Sequence, residues 1–284
     1  MALGIQYDGA NYHGWQSQPS KNTVQDYLES AIENFLGASN TRPVKIVAAG
    51  RTDSAVHALG QVVHFDTTFE RDDWSWVRGI NTFLPKDIAV HWAKMVSKDF
   101  DARFSAQERA YAYCVSGAPY PLPLLKQKTG YLMLPASKEL DISAMHQAAT
   151  YLIGTHDFSS FRSSECQSNT PIKTIYQLDI VQQAPHIYFF IRGNAFLHHM
   201  VRNLVGSLLR VGLGKESPEW LLDVLKQRNR QAAAPTFMAD GLYLCRVGYP
   251  VQFQIPEPNL STSIVPGELL NRFIGSKNWL ANGV

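Results

Sequence analysis

Short apolar runs and stretches of helical spacing alternate along this chain, each bounded by Gly, Pro, Asp or Asn. Residues 3–7 form a brief apolar run ended by the turn signal Asp8-Gly9, which predicts a strand. Behind Thr23, a suitable N-cap, Val24, Tyr27, Leu28, Ala31, Ile32 and Phe35 recur at helical steps, and Gly37 follows as a stop. Residues 44–49 and 61–67 read as strands on either side of a polar turn. Residues 72–84 read as a helix closed by Pro85, and 88–95 and 110–116 as strands. The Pro- and Gly-rich stretch 117–130 predicts a loop or a crossing. Beyond it come a helix at 141–152, a hairpin from 172–182 with 187–193, and a last strand at 242–249. Leu197, Val201, Leu204, Leu208 and Val211 mark an amphipathic helix facing a core. The pattern predicts an α+β fold with mostly antiparallel pairing and no internal repeat.

Composition changes this picture little. At 284 residues, one or two domains are expected, and 45% hydrophobic with 18% charged residues is an ordinary globular balance. The formal charge of +2 neither demands nor excludes a nucleic-acid partner, since a basic groove needs clustering rather than net excess. Cys114, Cys166 and Cys245 are odd in number and far apart, without Cys-x-x-Cys, so neither a disulfide framework nor a zinc site is indicated. The opening Met-Ala-Leu-Gly-Ile lacks a signal peptide's basic start and apolar run. The longest apolar segment, 195–213, is broken by His198, His199, Arg202, Asn203 and Arg210, which argues against a membrane span. A cytoplasmic location is the expectation.

Candidate chemistry centres on residues 49–58, Ala-Gly-Arg-Thr-Asp-Ser-Ala-Val-His-Ala, a Gly-led turn that sets Asp53 two residues after Arg51. By themselves these two read as an ordinary solvated pair. Tyr111 in an alternating strand reads as core, Arg202 as a helix side chain reaching for solvent, and Leu242 as strand packing. His198 and His199, taken as neighbours on a helix, would diverge by about a hundred degrees and could not readily share an ion. No metal is expected. Gly-Leu-Gly-Lys at 212–215 lacks the spacing of a phosphate-binding loop.

In its surroundings the turn reads differently. It resembles Gly-Arg-Thr-Asp-Ala-Gly-Val-His-Ala, the segment carrying the nucleophilic aspartate in the bacterial tRNA pseudouridine synthase A (TruA) family. Further matches follow in that family's order. They are Tyr7-Asp8-Gly9 with Tyr12-His13-Gly14-Trp15-Gln16, Thr23-Val24-Gln25, Ala102-Arg103-Phe104-Ser105-Ala106 with Tyr111-Ala112-Tyr113, and Ser160-Phe161-Arg162. Asn194 through Gly206 and Gly241-Leu242-Tyr243-Leu244 complete the set, which spans residues 3 to about 250.

The resemblance implies a pseudouridine synthase fold: two α/β halves, residues 1–105 and 106–250, with sheets joined into one and an active cleft between them. Residues 251–284 form a tail beyond the match, where Leu269, Leu270, Phe273, Ile274 and Trp279 suggest some packing. It implies isomerisation of uridine to pseudouridine at positions 38, 39 and 40 of the tRNA anticodon stem-loop, by a homodimer that needs no cofactor. Asp53 would be the nucleophile and Arg202 its salt-bridge partner. Arg51 would displace the target nucleotide, Tyr111 would stack on the flipped uracil, and Leu242 would pack the pocket's other side. Arg42, Lys45, Arg78, Arg103, Arg109, Arg162, Lys173 and Arg192 are plausible contacts to the RNA backbone.

The chemistry suits such residues. Breaking C1′–N1 and making C1′–C5 adds and removes no atoms, so a carboxylate, a hold on the freed base and a proton acceptor suffice. Glycosidases meet a similar sugar cation with Asp or Glu. One departure stands out: Ser54-Ala55 replaces the family's usual Ala-Gly, where a Gly often serves a positive φ. Two rivals remain in view, an RNA-binding protein without catalysis and a nucleosidase that releases free uracil.

Overall fold

The computed structural model describes residues 1–37, 42–166 and 168–274. They divide into two compact units: Met1–Gln107 with Tyr243–Ser263, and Glu108–Leu242 with the segment from Ile264 onward.

The first unit contains β1 (Ala2–Tyr7), α1 (Val24–Leu36), β2 (Val47–Ala48), β3 (His57–His64), α2 (Asp73–Asn81) and β4 (Ile88–Lys94). A strand from far along the chain, β10 (Leu242–Gly248), joins the sheet, whose order is β4-β1-β3-β10 with β2 beside β3. β1 runs antiparallel to both β3 and β4, whereas β10 pairs parallel to β3 through Tyr243 with His57 and Leu244 with Ala58. Thr23 caps α1 by accepting from the Asp26 amide, and Gly37 ends it. Val24, Leu28, Ala31 and Ile32 of α1 are buried, as the spacing predicts, together with Leu36, whereas Phe35 is half-buried and Tyr27, expected on the same face, is 41% exposed. Trp76 of α2 is fully buried between the rings of Phe35 and Phe65, at 5.4 and 5.8 Å. A side chain of this size contributes on the order of 3 kcal/mol when buried.

The expected strand at 44–49 shrinks to two residues for an identifiable reason. The amides of Val44 and Ile46 donate to the carboxylates of Glu33 and Glu29, at 2.9 and 3.1 Å. These α1 side chains satisfy groups that a ladder would otherwise take. The next strand begins at His57, four residues earlier than the pattern suggested.

The second unit contains β5 (Glu108–Ala118), β6 (Gly130–Met133), α3 (Ile142–Thr150), β7 (Gly154–Asp157), β8 (Ile172–Gln183) and β9 (His186–Gly193). The helices α4 (Met200–Gly212), α5 (Trp220–Gln227) and α6 (Gly267–Phe273) follow. Sheet order is β5-β9-β8-β7, antiparallel throughout, with β6 parallel to β5. On α4, Val201, Leu204, Leu208 and Val211 are buried, as predicted, and Leu197, expected on the same helix, is buried but lies ahead of its first turn. Leu269, Leu270 and Ile274 are buried too, and the Phe273 ring stacks on Phe190 at 4.7 Å, so the start of the tail packs. Trp279 lies outside the described residues.

Four elements, β6, β7, α5 and α6, were not legible beforehand. The stretch 117–130, expected as loop, winds through a short helical turn in which Thr129 donates to the Leu125 carbonyl. That turn returns the chain so that residues 130–133 lie along residues 115–118. Each unit shows the expected α+β class with mostly antiparallel pairing. Among the described residues, no helix is long and apolar enough to cross a membrane. Cys114 and Cys245 are buried and Cys166 is half-buried, and none of the three is in a disulfide.

Candidate active site

Asp53 sits in the turn between β2 and β3, half-buried, and the backbone around it is held from several directions. The Trp15 amide donates to the Thr52 carbonyl at 3.0 Å, and the hydroxyls of Tyr7 and Thr52 meet at 2.7 Å. After the aspartate, Val56 donates back to the Asp53 carbonyl at 3.2 Å. Gly14 lies against the same turn with φ +90. A Cβ there would stand 2.8 Å from the Thr52 carbonyl oxygen and 3.1 Å from the Asp53 carbonyl carbon.

The Ser54-Ala55 departure has a definite conformation. Ala55 adopts φ +64, the left-handed region, where an L residue costs roughly 1–2 kcal/mol. The turn therefore keeps the shape that glycine would favour, at the expense of local strain. The Ser54 hydroxyl donates to the Tyr12 carbonyl at 3.0 Å, and the Ala55 amide makes a longer bond of 3.4 Å to the same oxygen. Tyr12 is itself fixed: its ring packs edge-on to Tyr27 at 5.5 Å and its hydroxyl donates to Asp87. Burial, followed by the Asp87 carboxylate, pushes that phenol well above the usual range, so it stays protonated as a donor.

Arg51 is exposed at the entrance of the turn. The preceding carbonyl, of Gly50, accepts from the buried Gln61 amide at 2.7 Å, which fixes the backbone from which Arg51 projects. His57 is 2% exposed. Its Nδ1 accepts from the Gly9 amide at 3.1 Å, the Asp8 carboxylate lies 3.0 Å from the same nitrogen, and the ring stacks on Tyr243 at 4.7 Å.

Tyr111, Arg202 and Leu242 belong to the second unit. Tyr111 on β5 is half-buried and edge-on to Phe196 at 5.2 Å. Tyr113, two residues on, takes the core role instead: it is fully buried and donates to the Met238 carbonyl. Arg202 does not merely reach for solvent from α4. It is half-buried, and its Nε donates to the Phe237 carbonyl at 2.9 Å. The guanidinium opposes the upward shift that burial gives the Tyr113 phenol, which places the positive charge close to that ring. Leu242, the first residue of β10, is 5% exposed.

His198 and His199 are not successive residues of a helix: His199 is the N-cap of α4, at φ 63, and the helix begins at Met200. That left-handed residue folds the imidazoles together, with centroids 4.0 Å apart, so divergence does not keep them from sharing an ion. Several proposed RNA contacts also serve the second unit's own structure. Lys173 is buried and donates to the Thr170 carbonyl, and Arg192 pairs with Glu108 at 3.2 Å and with Gln177. Arg109 and Arg162 donate to the carbonyls of Asn194 and Cys166. Arg42, Lys45, Arg78 and Arg103, in the first unit, are exposed.

Sequence reasoning passed over Phe104. Its ring is 81% exposed, with the Arg103 guanidinium 5.4 Å from the centroid. The loop that presents it is rigid, since one Asp101 oxygen accepts from the Arg103 and Phe104 amides and Tyr249 donates to the Ala102 carbonyl. An apolar residue beside an arginine in a matched motif was the available signal.

Comparison with known proteins bears on the whole chain. A description of the tRNA pseudouridine synthase family matches residues 4–105 and 148–250. Arg51, Asp53, Arg202 and Leu242 fall inside those segments, and Tyr111 falls between them. The chain is 56% identical over 273 residues to the tRNA pseudouridine synthase A of Polynucleobacter asymbioticus, which covers 96% of this chain and 99% of that one. Identity to the protein of the same name from Ralstonia nicotianae is 53% over 267 residues, covering 94% and 96%. For that of Paraburkholderia phytofirmans it is 54% over 266 residues, covering 94% and 95%. The chain therefore belongs to the tRNA pseudouridine synthase A family.

Proposed function

We propose that this isomerase converts uridine to pseudouridine at positions 38, 39 and 40 of the tRNA anticodon stem-loop, with Asp53 as the nucleophile. Membership of the family makes it an enzyme acting on tRNA. The position and the residue roles are the further step. The target nucleotide leaves the helical stack, since a paired base cannot present its sugar carbon to a carboxylate; such extrusion costs a few kcal/mol. Arg51, exposed beside the turn, displaces it. Asp53 then engages the sugar, by attack at C1′ or by removing a neighbouring sugar proton to give a glycal. The C1′–N1 bond breaks, and the freed uracil turns against Tyr111 and Leu242. C5 then bonds to C1′ as the Asp53–C1′ ester bond breaks or, on the glycal route, as Asp53 returns the sugar proton. The C5 proton leaves to a base, for which Tyr111 is the candidate, and N1 takes up a proton.

The observation that carries this reading is the Asp53 turn, whose backbone is pinned on both sides of the carboxylate. A nucleophile held in advance spares the cost of ordering it at the moment of reaction. Arg202, kept half-buried by the Phe237 carbonyl, is assigned to keep Asp53 ionised, as a guanidinium beside a carboxylate does. The exposed Arg42, Lys45, Arg78 and Arg103 are suited to phosphate contacts, by which folded RNA is recognised more than by base edges. A homodimer in the cytoplasm completes the reading.

The test is tritium release from unmodified tRNA labelled at uridine C5, comparing wild type with Asp53→Ala. The expected result is release by wild type alone, without free uracil. Free uracil would identify a nucleosidase. Release by Asp53→Ala at the wild-type rate would remove Asp53 from the chemistry.

A further inference from the structure

We infer that Ser54 is a positioning residue for Asp53, and that it does for this chain what a glycine at position 55 would do by conformational freedom. The inference rests on the reading of Asp53 as the nucleophile. Ala55, at φ +64, would relax towards negative φ if nothing opposed it. Asp53 is two residues away, and its carbonyl accepts from Val56 just beyond Ala55, so relaxation at 55 would be transmitted to the aspartate.

The opposing restraint is the Tyr12 carbonyl. Upstream of Asp53, Thr52 is held twice, by Trp15 and by Tyr7. Downstream, the Ala55 amide reaches the Tyr12 oxygen at 3.4 Å, near the limit for such a bond, whereas the Ser54 hydroxyl reaches it at 3.0 Å. The carbonyl is a firm post, because Tyr12 is 4% exposed and is tied through its amide to Gly9 and through its hydroxyl to Asp87. Ser54 is exposed, so its bond adds little to global stability. Its effect falls on where the turn sits.

Ser54 and Ala55 are therefore coupled. With glycine at 55 the left-handed conformation carries no penalty, and the hydroxyl becomes dispensable. With alanine at 55 the hydroxyl is needed.

The experiment measures kcat and KM for pseudouridine formation on tRNA, with unfolding midpoints, for S54A, S54T, A55G, the double variant S54A/A55G, and Asp53→Ala. S54A is expected to lower kcat roughly tenfold, less than the hundredfold that a 1 Å misplacement can cost. Its KM should stay within about twofold and its unfolding midpoint should barely move. S54T keeps the hydroxyl and should stay near wild type. S54A/A55G should recover most of the lost kcat, a non-additivity that only coupled neighbours produce. Wild-type kcat in S54A, or a loss that A55G leaves untouched, would overturn the inference while Asp53→Ala remains inactive. Activity in Asp53→Ala would overturn the inference together with the reading beneath it.

Discussion

Gly14→Ala tests whether the Asp53 turn is held by close approach of the backbone, and Gly37→Ala supplies its control. Both glycines have positive φ, +90 and +67, so an added methyl strains either backbone by about 1–3 kcal/mol. The surroundings separate them. At Gly37 the new Cβ meets no described atom within 4 Å, whereas at Gly14 it would stand 2.8 Å from the Thr52 carbonyl oxygen. A comfortable contact is longer by about half an ångström, so one of the two segments must move. If residues 14 and 15 move, two hydrogen bonds weaken, from Trp15 to Thr52 and from Val24 to Gly14, at about 1 kcal/mol each. If the turn moves, Asp53 moves with it. Urea unfolding should therefore show a loss of about 1–3 kcal/mol for Gly37→Ala and about 2–4 kcal/mol for Gly14→Ala. Single-turnover pseudouridine formation, measured where both variants are folded, should separate them further. Gly37→Ala should keep the wild-type rate, and Gly14→Ala should lose about ten- to a hundredfold. A Gly14→Ala protein with an unchanged rate would refute the claim that this approach fixes the aspartate.

Two further predictions concern other parts of the first unit. His91 on β4 is pushed down to about 4 by burial, against an unfolded value near 6.5. Between those values the unfolded chain binds more protons, so stability falls as pH drops through 6.5 and levels off below about 4, a loss of up to about 3 kcal/mol. His91→Phe should flatten this acid limb in urea titrations at pH 7.5 and 5. Some slope will remain, because burial also lowers His64 and His186. An unaltered slope would assign the whole limb to other groups. Phe104, exposed beside Arg103, is a surface on which an unpaired base can stack, an interaction of about 1–3 kcal/mol. Phe104→Ala should raise the KM for tRNA about 5- to 150-fold at constant kcat, and Phe104→Trp should restore it. An unchanged KM for Phe104→Ala would make the residue an incidental exposed aromatic.

Helices with strong amphipathic spacing were legible in advance. Val24, Leu28, Ala31 and Ile32 of α1 and Val201, Leu204, Leu208 and Val211 of α4 are buried where the three- and four-residue steps select them, because that periodicity defines a helix face. The same steps also select Tyr27, which is exposed. Elements that depend on distant partners were not. β6 is four residues long and exists by pairing with β5, and the strand expected at 44–49 is shortened by two glutamates on α1. The candidate site divides in the same way. Asp53, Arg51, Arg202 and Leu242 were found through motifs in a fixed order. The exposure of Phe104 and the bond of the Ser54 hydroxyl were not, since the first depends on the packing around it and the second on a carbonyl forty-two residues away.

The sequence by itself determined the α+β class, the main helices and the family. Those properties reside in local spacing and in short runs of residue types. Only the tertiary structure decided that Ala55 is left-handed, that Ser54 is bonded to Tyr12, that His198 and His199 lie together, and that Lys173 is buried. Each of these depends on a backbone dihedral or on burial among residues far away in the chain. Such terms are settled by the packing of the whole fold rather than by any window of sequence.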